Sequence, residues 1–247
     1  MRAVNLARRD VLTILRLPKI RIAIQFYLRV ENFSPEVILE NRLAEVMAQV
    51  QPSSMADMLR GFVDRVASLE PTPGGGSVAA LAGALAAGLG QMAIRITKEK
   101  KNFQQYAARY VEALGRLSGH SSDLLGLVDA DSEAYKRVMD AYRLAKDSPE
   151  RERAIQEGLI HATEIPSRTA KSAAEALRIC EDLRSIIHIN VASDFEVGIQ
   201  MLQASVSGAV ANMRTNLNGI KDAGVRNHYQ DMILSWERDF QGRIPEF

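Results

Sequence analysis

The run from Val78 to Ile96 constrains the fold of this chain more than any other segment. It consists mostly of Ala, Gly and Leu, and small residues such as Gly83 and Gly90 recur along it at helical spacing. Such residues let two helix backbones approach closely. About 20 apolar residues can also span a bilayer, but Ala and Gly gain little in lipid, and Gln91 and Arg95 interrupt the last turns. The run therefore predicts a helix buried at the centre of the protein.

Composition agrees with a helical fold and narrows the class of partner. The 247 residues are 47% hydrophobic and 25% charged, as in ordinary globular proteins, and only 6% are aromatic. A net charge of +1 does not indicate nucleic acid as a partner. Cys180 is the only cysteine, which fits a reducing cytoplasm, and the four histidines lack metal-site spacing. We expect an all-α cytoplasmic protein with no metal, no nucleic-acid partner and no membrane span.

The first 54 residues differ from the remainder. Residues 1–30 carry seven basic side chains against one acid, Asp10, and charges interrupt every apolar run, so no signal peptide is predicted. Gln51-Pro52-Ser53-Ser54 reads as a linker, and Met55 follows it as an alternative start. We expect residues 1–54 to be an extension outside the catalytic core, which then covers residues 55–247.

Helical periodicity continues through the rest of the chain. No segment shows the sustained alternation of apolar and polar residues that a half-buried strand requires. Ser118-Gly119 predicts a break in one long helix, Asp147-Ser148-Pro149-Glu150 predicts a helix start, and Pro166 predicts a start or a kink. The sequence thus predicts a bundle of antiparallel helices over about residues 57–69, 78–96, 104–145, 150–162, 166–183, 191–217 and 225–240.

Asp131 is a carboxylate that helical spacing places on an apolar face. It lies three residues after Val128 and seven before Val138 on an apolar stripe, whereas Asp129 lies off that stripe. Burial would raise its pKa toward the range of a proton-transfer group. The alternative is a structural carboxylate that caps a neighbouring helix or pairs with a buried Arg. Periodicity alone favours this structural alternative.

The segment Pro73-Gly74-Gly75-Gly76-Ser77 directly precedes the predicted central helix. Its backbone can approach a ligand closely, and free amides at a helix N-terminus can bind an anion or a polar edge. It lacks the Gly-Lys-Ser/Thr ending of a Walker A loop, and no strand precedes it as in a dinucleotide site. A tight turn between two helices is the simpler interpretation.

Two further groups of polar residues are candidate ligand contacts. Asp194, Asn212 and Asn216 lie near one face of the predicted helix 191–217, where they either line a cavity or form a hydrogen-bonded contact between helices. A group of lysines after the central helix is either a solvated loop or a patch that attracts a polyanionic ligand. These are Lys98, Lys100 and Lys101.

Together and in this order, these segments resemble the cyclodeaminase/cyclohydrolase family of tetrahydrofolate enzymes. That family comprises the C-terminal domain of formiminotransferase-cyclodeaminase and the stand-alone methenyltetrahydrofolate cyclohydrolase. The resemblance covers about residues 56–240. Its specific segments are Pro-Thr-Pro-Gly-Gly-Gly-Ser-Val-Ala-Ala at residues 71–80 and Leu-Val-Asp-Ala-Asp-Ser-Glu-Ala at residues 127–134. Nothing in the chain resembles the formiminotransferase domain, and residues 1–54 have no counterpart.

The resemblance implies an all-α fold that forms a homodimer or a larger homo-oligomer, with the folate site near subunit contacts. It makes Asp131 the catalytic residue and implies no metal or prosthetic group. The substrate is a tetrahydrofolate derivative with one or several glutamates, whose tail Lys101 would contact. The remaining residues implied to bind substrate are Gly74, Gly75, Gly76, Ser77, Asp194, Asn212 and Asn216.

The activity expected from this resemblance is hydrolysis of 5,10-methenyltetrahydrofolate to 10-formyltetrahydrofolate. Cyclodeamination of 5-formiminotetrahydrofolate, which releases ammonia, is the first alternative, and in either reaction one carboxylate can carry the proton. A non-catalytic helical dimer that binds folate is the second alternative. A membrane-attached helical protein, using residues 1–30 and 78–96, is an interpretation from a different class.

Overall fold

The computed structural model describes residues 54–240, which form helices joined by short turns. Short 3₁₀ helices lie at Lys101–Tyr106, Arg184–Ile186 and Ile189–Val191. The predicted all-α fold is confirmed, whereas residues 1–53, nearly all of the predicted extension, lie outside the described residues. Within residues 54–240 the α-helices are α1 Met55–Val66, α2 Gly75–Lys98, α3 Ala107–Arg143, α4 Arg151–Leu183, α5 Ala192–Leu217 and α6 Ala223–Asp239.

The chain divides into two compact units after Gly61. Of the first unit the structure describes residues 54–61, which begin α1. The Ser54 hydroxyl accepts a hydrogen bond of 3.2 Å from the backbone N–H of Asp57 and thereby caps this helix. The second unit, from Phe62 onward, contains helices α2–α6. The domain boundary between residues 54 and 55 stays a prediction.

Helices α2–α5 form a four-helix bundle in which neighbours are antiparallel. Between α2 and α3, the Ser77 hydroxyl lies 2.9 Å from the Val128 carbonyl, and the Ser121 hydroxyl donates to the Ala84 carbonyl at 3.1 Å. The order of the contacts is reversed between the two helices, which makes them antiparallel. The same reversal relates α3 to α4 and α2 to α5. The predicted antiparallel bundle is therefore confirmed.

α2 is the central helix of the core, as its composition predicts. Within residues 54–240 it is the one helix long and apolar enough to cross a membrane, yet most of its apolar window lies inside the bundle. Ala80, Ala86, Ala87 and Ala93 are fully buried. The apolar character of this helix is accounted for largely by its packing against α3 and α5.

Small residues let α2 and α5 approach closely. Ser205 of α5 fills the space beside Gly83, where a Cβ would lie 2.7 Å from the Ser205 hydroxyl oxygen. That hydroxyl is fully buried and donates to the Ala79 carbonyl at 2.7 Å, which satisfies a polar group that would otherwise be costly to bury. The stripe of small residues thus packs one helix against another.

One predicted helix break is wrong, because α3 continues through Ser118-Gly119. Leu117 and Leu124 on either side are fully buried. Their packing outweighs the cost of one helical glycine, which is about 1 kcal/mol relative to alanine.

Pro166 does not open a new helix, because α4 runs through it. Proline has no N–H and cannot donate to the carbonyl four residues earlier, that of Ala162. The Asn216 side chain of α5 donates to this carbonyl at 2.7 Å instead. The predicted start at residues 147–150 lies just before the helix, which begins at Arg151 with Glu150 at the N-cap.

Candidate functional site

Asp131 of α3 lies against the first turn of α2, where the glycine segment begins the helix. Its Oδ2 atom accepts two hydrogen bonds from one residue, from the Ser77 backbone N–H at 2.8 Å and from the Ser77 hydroxyl at 2.9 Å. Within residues 54–240 no hydrogen bond reaches the other carboxylate oxygen, Oδ1. One oxygen is therefore held firmly, and the other is available to a ligand.

Gly76 makes this approach of α3 to α2 possible. A Cβ at this position would lie 2.1 Å from Asp131 Oδ1 and 2.6 Å from its Cγ, far inside van der Waals contact. Only glycine leaves room for the carboxylate here. The glycine was expected to bring backbone close to a ligand, and the structure shows that it brings backbone close to Asp131.

The electrostatics of Asp131 combine two opposing effects. Burial raises the pKa of its carboxyl, and the side-chain and backbone hydrogen bonds from Ser77 lower it in part. Asp131 is half-buried whereas Asp129, two residues earlier, is exposed, as helical spacing predicts. The raised pKa makes the carboxyl easier to protonate near neutral pH than an ordinary aspartate.

Asp131 also caps a neighbouring helix, which is the structural alternative that periodicity favoured. The Ser77 N–H is one of the first amides of α2, which have no partner inside the helix. Its bond to Asp131 satisfies it, and no buried Arg takes part among the described contacts of Asp131. Capping and proton transfer are compatible, because the capping bonds occupy Oδ2 and leave Oδ1 free.

Asn212 of α5 lies beside the same turn. Its side-chain nitrogen donates to the Gly208 carbonyl at 2.8 Å and lies 3.4 Å from the place that a Cβ of Gly75 would occupy. Gly74, the N-cap residue of α2, precedes that position. The structure therefore brings together the glycine segment, Ser77, Asp131 and Asn212.

Asn216 forms a contact between helices, one turn further along α5. Its side-chain nitrogen donates to the carbonyl of Ala162, the group that Pro166 leaves without a helical partner. Of the two alternatives for this polar face, the hydrogen-bonded helix contact describes Asn216. Its role in binding substrate stays a prediction.

Lys101 and Asp194 lie at the other end of the bundle within one chain. Asp194 is in the first turn of α5, about 27 Å from Asn212 at the rise of an α-helix. Lys101 follows the C-terminal end of α2, a helix of 24 residues and hence about 36 Å. Both side chains are exposed. The structure does not bring them to Asp131 inside one subunit, and their binding roles stay predictions.

Cys180 and His120 are two other side chains of potentially reactive type. Burial raises the pKa of the Cys180 thiol to about 12, so the thiol stays protonated and unreactive. His120 of α3 lies 3.0 Å from the Ser172 hydroxyl and 3.6 Å from the Glu175 carboxylate of α4, beside a cavity of about 330 Å³. This cluster joins two helices. Within residues 54–240 no group of three potential metal ligands is present.

Comparison with known proteins places these residues in context. The family model for formiminotransferase-cyclodeaminase matches residues 58–234. The methenyltetrahydrofolate cyclohydrolase of Methylorubrum extorquens is 33% identical over 170 residues, which cover 67% of this chain and 82% of that protein. The formimidoyltransferase-cyclodeaminase of Gallus gallus is 35% identical over 182 residues, covering 71% of this chain. The chain spans about a third of the length of that longer protein, 33%.

A solved structure with the same architecture is the formiminotetrahydrofolate cyclodeaminase of Thermotoga maritima. It superposes with a TM-score of 0.69 and 26% sequence identity, covering 75% of this chain and 90% of that one. The sequence matches and the shared fold therefore extend over the bundle that carries Asp131.

Proposed function

Because the chain belongs to the formiminotransferase-cyclodeaminase family, we propose that it hydrolyses 5,10-methenyltetrahydrofolate to 10-formyltetrahydrofolate. The observation that supports this proposal best is the environment of Asp131. It is a half-buried carboxyl of raised pKa, with one oxygen held by Ser77 and the other free of hydrogen bonds from the described residues. That is the arrangement a proton-transfer group needs.

The chemistry removes both protons of the attacking water and delivers one of them to N5, so one proton is released overall. In methenyltetrahydrofolate a single carbon bridges N5 and N10 as a cationic amidinium. Ionised Asp131 accepts a proton as water adds to this carbon, and its charge stabilises the cation before the addition. The protonated carboxyl then gives that proton to N5 as the carbon–N5 bond breaks, and the hydroxyl proton of the adduct is lost to solvent as the C=O bond forms, which leaves the formyl group on N10. The glycine segment and Asn212 supply hydrogen bonds to the bound folate.

Hydrolysis is preferred to cyclodeamination because this chain matches most of the length of a cyclohydrolase. The Methylorubrum extorquens cyclohydrolase is matched over 82% of its length at 33% identity. The Gallus gallus protein is matched over 33% of its length, and its name joins a transferase to the cyclodeaminase. Similarity over most of a cyclohydrolase therefore supports hydrolysis as the first candidate.

Cyclodeamination is the second candidate, favoured by the Thermotoga maritima structure. That protein is a cyclodeaminase, and 90% of its chain is covered by this fold. In this reaction N10 attacks the formimino carbon and gives its proton to Asp131, which then protonates the amino group as the bond from that group to the carbon breaks and ammonia leaves. Two assays separate the candidates: loss of methenyl absorbance on hydrolysis, and ammonia release with gain of methenyl absorbance from the formimino substrate. Folate binding with neither activity would instead support the non-catalytic dimer.

Asp131→Asn tests the catalytic assignment. The amide has nearly the same shape and cannot exchange a proton, so we expect turnover to fall about 10²- to 10⁴-fold with the helical fold retained. Asp129→Asn is the matched control, because that residue lies in the same helix and is exposed. Full activity in Asp131→Asn, or an equal loss in both variants, would overturn the assignment.

We also propose that a second copy of the chain covers the outer face of α2. That face is apolar along most of the helix, with Arg95 exposed near its C-terminal end, and its flanking helices add apolar side chains beside it. Self-association needs only one such face, because a two-fold axis makes it contact itself. Its most exposed large side chains are Val78, Leu85 and Ile96 of α2, with Leu125 of α3 and Val197 of α5.

An antiparallel arrangement of the two α2 helices would make the site a joint one. A two-fold axis perpendicular to α2 places the Lys101 end of one subunit over the Asp131 end of the other, which brings together the two halves that one chain keeps apart. Leu85→Glu is expected to give monomers in sedimentation. Mixing chains that carry Asp131→Asn with chains that carry Lys101→Ala is expected to restore substrate affinity and turnover in part. Failure of any mixture to recover activity would argue against a shared site.

The proposed catalytic core is residues 55–247. A chain that begins at Met55 is therefore expected to turn over folate at the rate of the full chain. Loss of activity on removal of residues 1–54 would assign those residues a part in the enzyme.

A further inference from the structure

Ser77 is fully buried beneath the candidate site. Its hydroxyl oxygen lies 2.9 Å from Asp131 Oδ2, 2.9 Å from the Val128 carbonyl and 3.3 Å from the Ser132 hydroxyl. Resting on the proposed function, we propose that Ser77 is not a substrate contact but the positioning residue of Asp131. It holds the carboxylate in one orientation and turns its own proton between two acceptors as Asp131 gains and loses a proton.

Ser77 holds the Asp131 carboxylate in one orientation because it supplies two hydrogen-bond donors to the same oxygen. The Ser77 N–H is fixed in the first turn of α2, and the hydroxyl is fixed by burial, so both point at the same atom of Asp131. Rotation of the carboxylate would break both bonds. Oδ1 therefore keeps its place beside Gly76 and remains the oxygen that can exchange a proton with a ligand.

The Ser77 hydroxyl can change its hydrogen-bond acceptor, because a hydroxyl has one proton and two lone pairs. When Asp131 is ionised, the Ser77 hydroxyl donates to Oδ2, a charge-assisted bond. When Oδ1 has taken up a proton, Oδ2 is an uncharged carbonyl oxygen and a weaker acceptor, and the serine proton turns to the Val128 carbonyl at 2.9 Å. Neither state leaves a buried hydroxyl without a partner, so the structure accepts both at little cost.

Among residues 54–240, the groups found against Asp131 carry no charge. Gly76 and Ser77 face it from α2, and Ser132 follows it in α3. Burial and the two Ser77 bonds account for the direction of its pKa, and no charged group of the other described helices contributes to that direction. Removal of the hydroxyl should therefore be visible in the titration of Asp131.

Ser77→Ala is the test, measured on the full chain. The backbone N–H remains, so Asp131 stays near its place, but the switching hydroxyl is lost. We expect kcat to fall roughly 10- to 100-fold with a smaller change in KM. The limb of the pH–rate profile that reports Asp131 should move to higher pH, because the Ser77 hydroxyl lowers that pKa. Ser77→Thr keeps the hydroxyl and should keep the wild-type limb.

Ser205→Ala is the matched control. Ser205 is another fully buried serine whose hydroxyl bonds a carbonyl of α2, but it does not contact Asp131. Its loss should lower thermal stability and leave the pH limb in place. An unmoved limb in Ser77→Ala, or the same movement in Ser205→Ala, would overturn the positioning role. If Ser77→Ala does not fold, Ser77→Cys, whose thiol is a weaker donor, should move the limb in the same direction.

Direct titration of the Asp131 carboxyl carbon by ¹³C NMR separates this proposal from the proposed function. If the wild-type chain turns over neither 5,10-methenyltetrahydrofolate nor 5-formiminotetrahydrofolate, the proposed function fails. A higher Asp131 pKa in Ser77→Ala than in the wild type would then still support the positioning role, and an equal pKa would refute it.

Discussion

At two positions along α2 a glycine and a serine form a close contact between helices, and the two contacts have different roles. At the start of the helix, the space beside Gly76 is filled by the Asp131 carboxylate, and Ser77 bonds that carboxylate. Two turns later, the space beside Gly83 is filled by the Ser205 hydroxyl, which bonds a carbonyl. In the second contact the buried hydroxyl has its hydrogen-bond partner, and no ionisable group takes part. The first leaves one oxygen of an ionisable group unbonded, and that difference separates a site from a packing contact.

Gly76→Ala should have the largest effect. Its Cβ would lie 2.1 Å from Asp131 Oδ1, so the carboxylate must move. We expect turnover to fall about 10²- to 10⁴-fold, as for loss of the catalytic proton-transfer group. Gly126→Ala in α3 is the control, since nothing lies within 4 Å of its Cβ position. Steady-state kinetics check the prediction. Wild-type turnover in Gly76→Ala would mean that the contact at Gly76, like that at Gly83, serves packing alone.

Gly83→Ala should damage stability instead of chemistry. Its Cβ would lie 2.7 Å from the Ser205 oxygen and 3.1 Å from a Leu124 methyl carbon. Overpacking of this kind costs roughly 1–3 kcal/mol in the free energy of unfolding. The double variant Gly83→Ala/Ser205→Ala should lose less than the sum of the single losses, because the second change vacates the space. Urea unfolding measures each cost, and strict additivity would contradict the close contact.

Asn216 and Pro166 should be coupled in stability. Asn216→Ala removes the donor to the Ala162 carbonyl and should cost about 1 kcal/mol. In a Pro166→Ala background the new backbone N–H can bond that carbonyl, so the same change should cost less. A double-mutant cycle in urea tests this. Equal costs in both backgrounds would mean that the asparagine does not compensate for the proline.

The smallest expected effect is a pH dependence of stability. Burial raises the pKa of Asp131 in the folded state above its ordinary value. The folded state therefore favours the protonated form, and its contribution is fully present below about pH 4 and is lost as pH rises through the raised pKa. The free energy of unfolding of the wild type minus that of Asp131→Asn should fall across this range. A difference that rises with pH would mean a lowered pKa.

Much of the fold followed from local pattern. The buried central helix and the antiparallel bundle were predicted from small residues and helical periodicity, and both are present. The errors lie at Ser118-Gly119 and Pro166, where local residues signal a boundary and the helix continues. Buried leucines outweigh the glycine, and a side chain of another helix satisfies the carbonyl left by the proline. Neither compensation is visible within a local window of sequence.

The candidate site was predictable in part. Asp131 could be distinguished from Asp129, because the spacing of apolar residues reports which side of a helix is buried. The partners of Asp131 could not be found in this way. Ser77 lies 54 residues away along the chain, and its bonds to the carboxylate depend on the register between α2 and α3.

The sequence by itself determined which residues face the core, because helical periodicity is a local property of the chain. It also determined that mostly small residues lie where α2 meets its neighbours. The tertiary structure alone decided that Gly76 faces a carboxylate and Gly83 a hydroxyl, that Asn212 lies at the site while Asn216 supports α4, and that Lys101 and Asp194 lie at the far end. The physical reason is that these facts depend on the register between helices. Packing of the whole bundle sets that register, and no single segment encodes it.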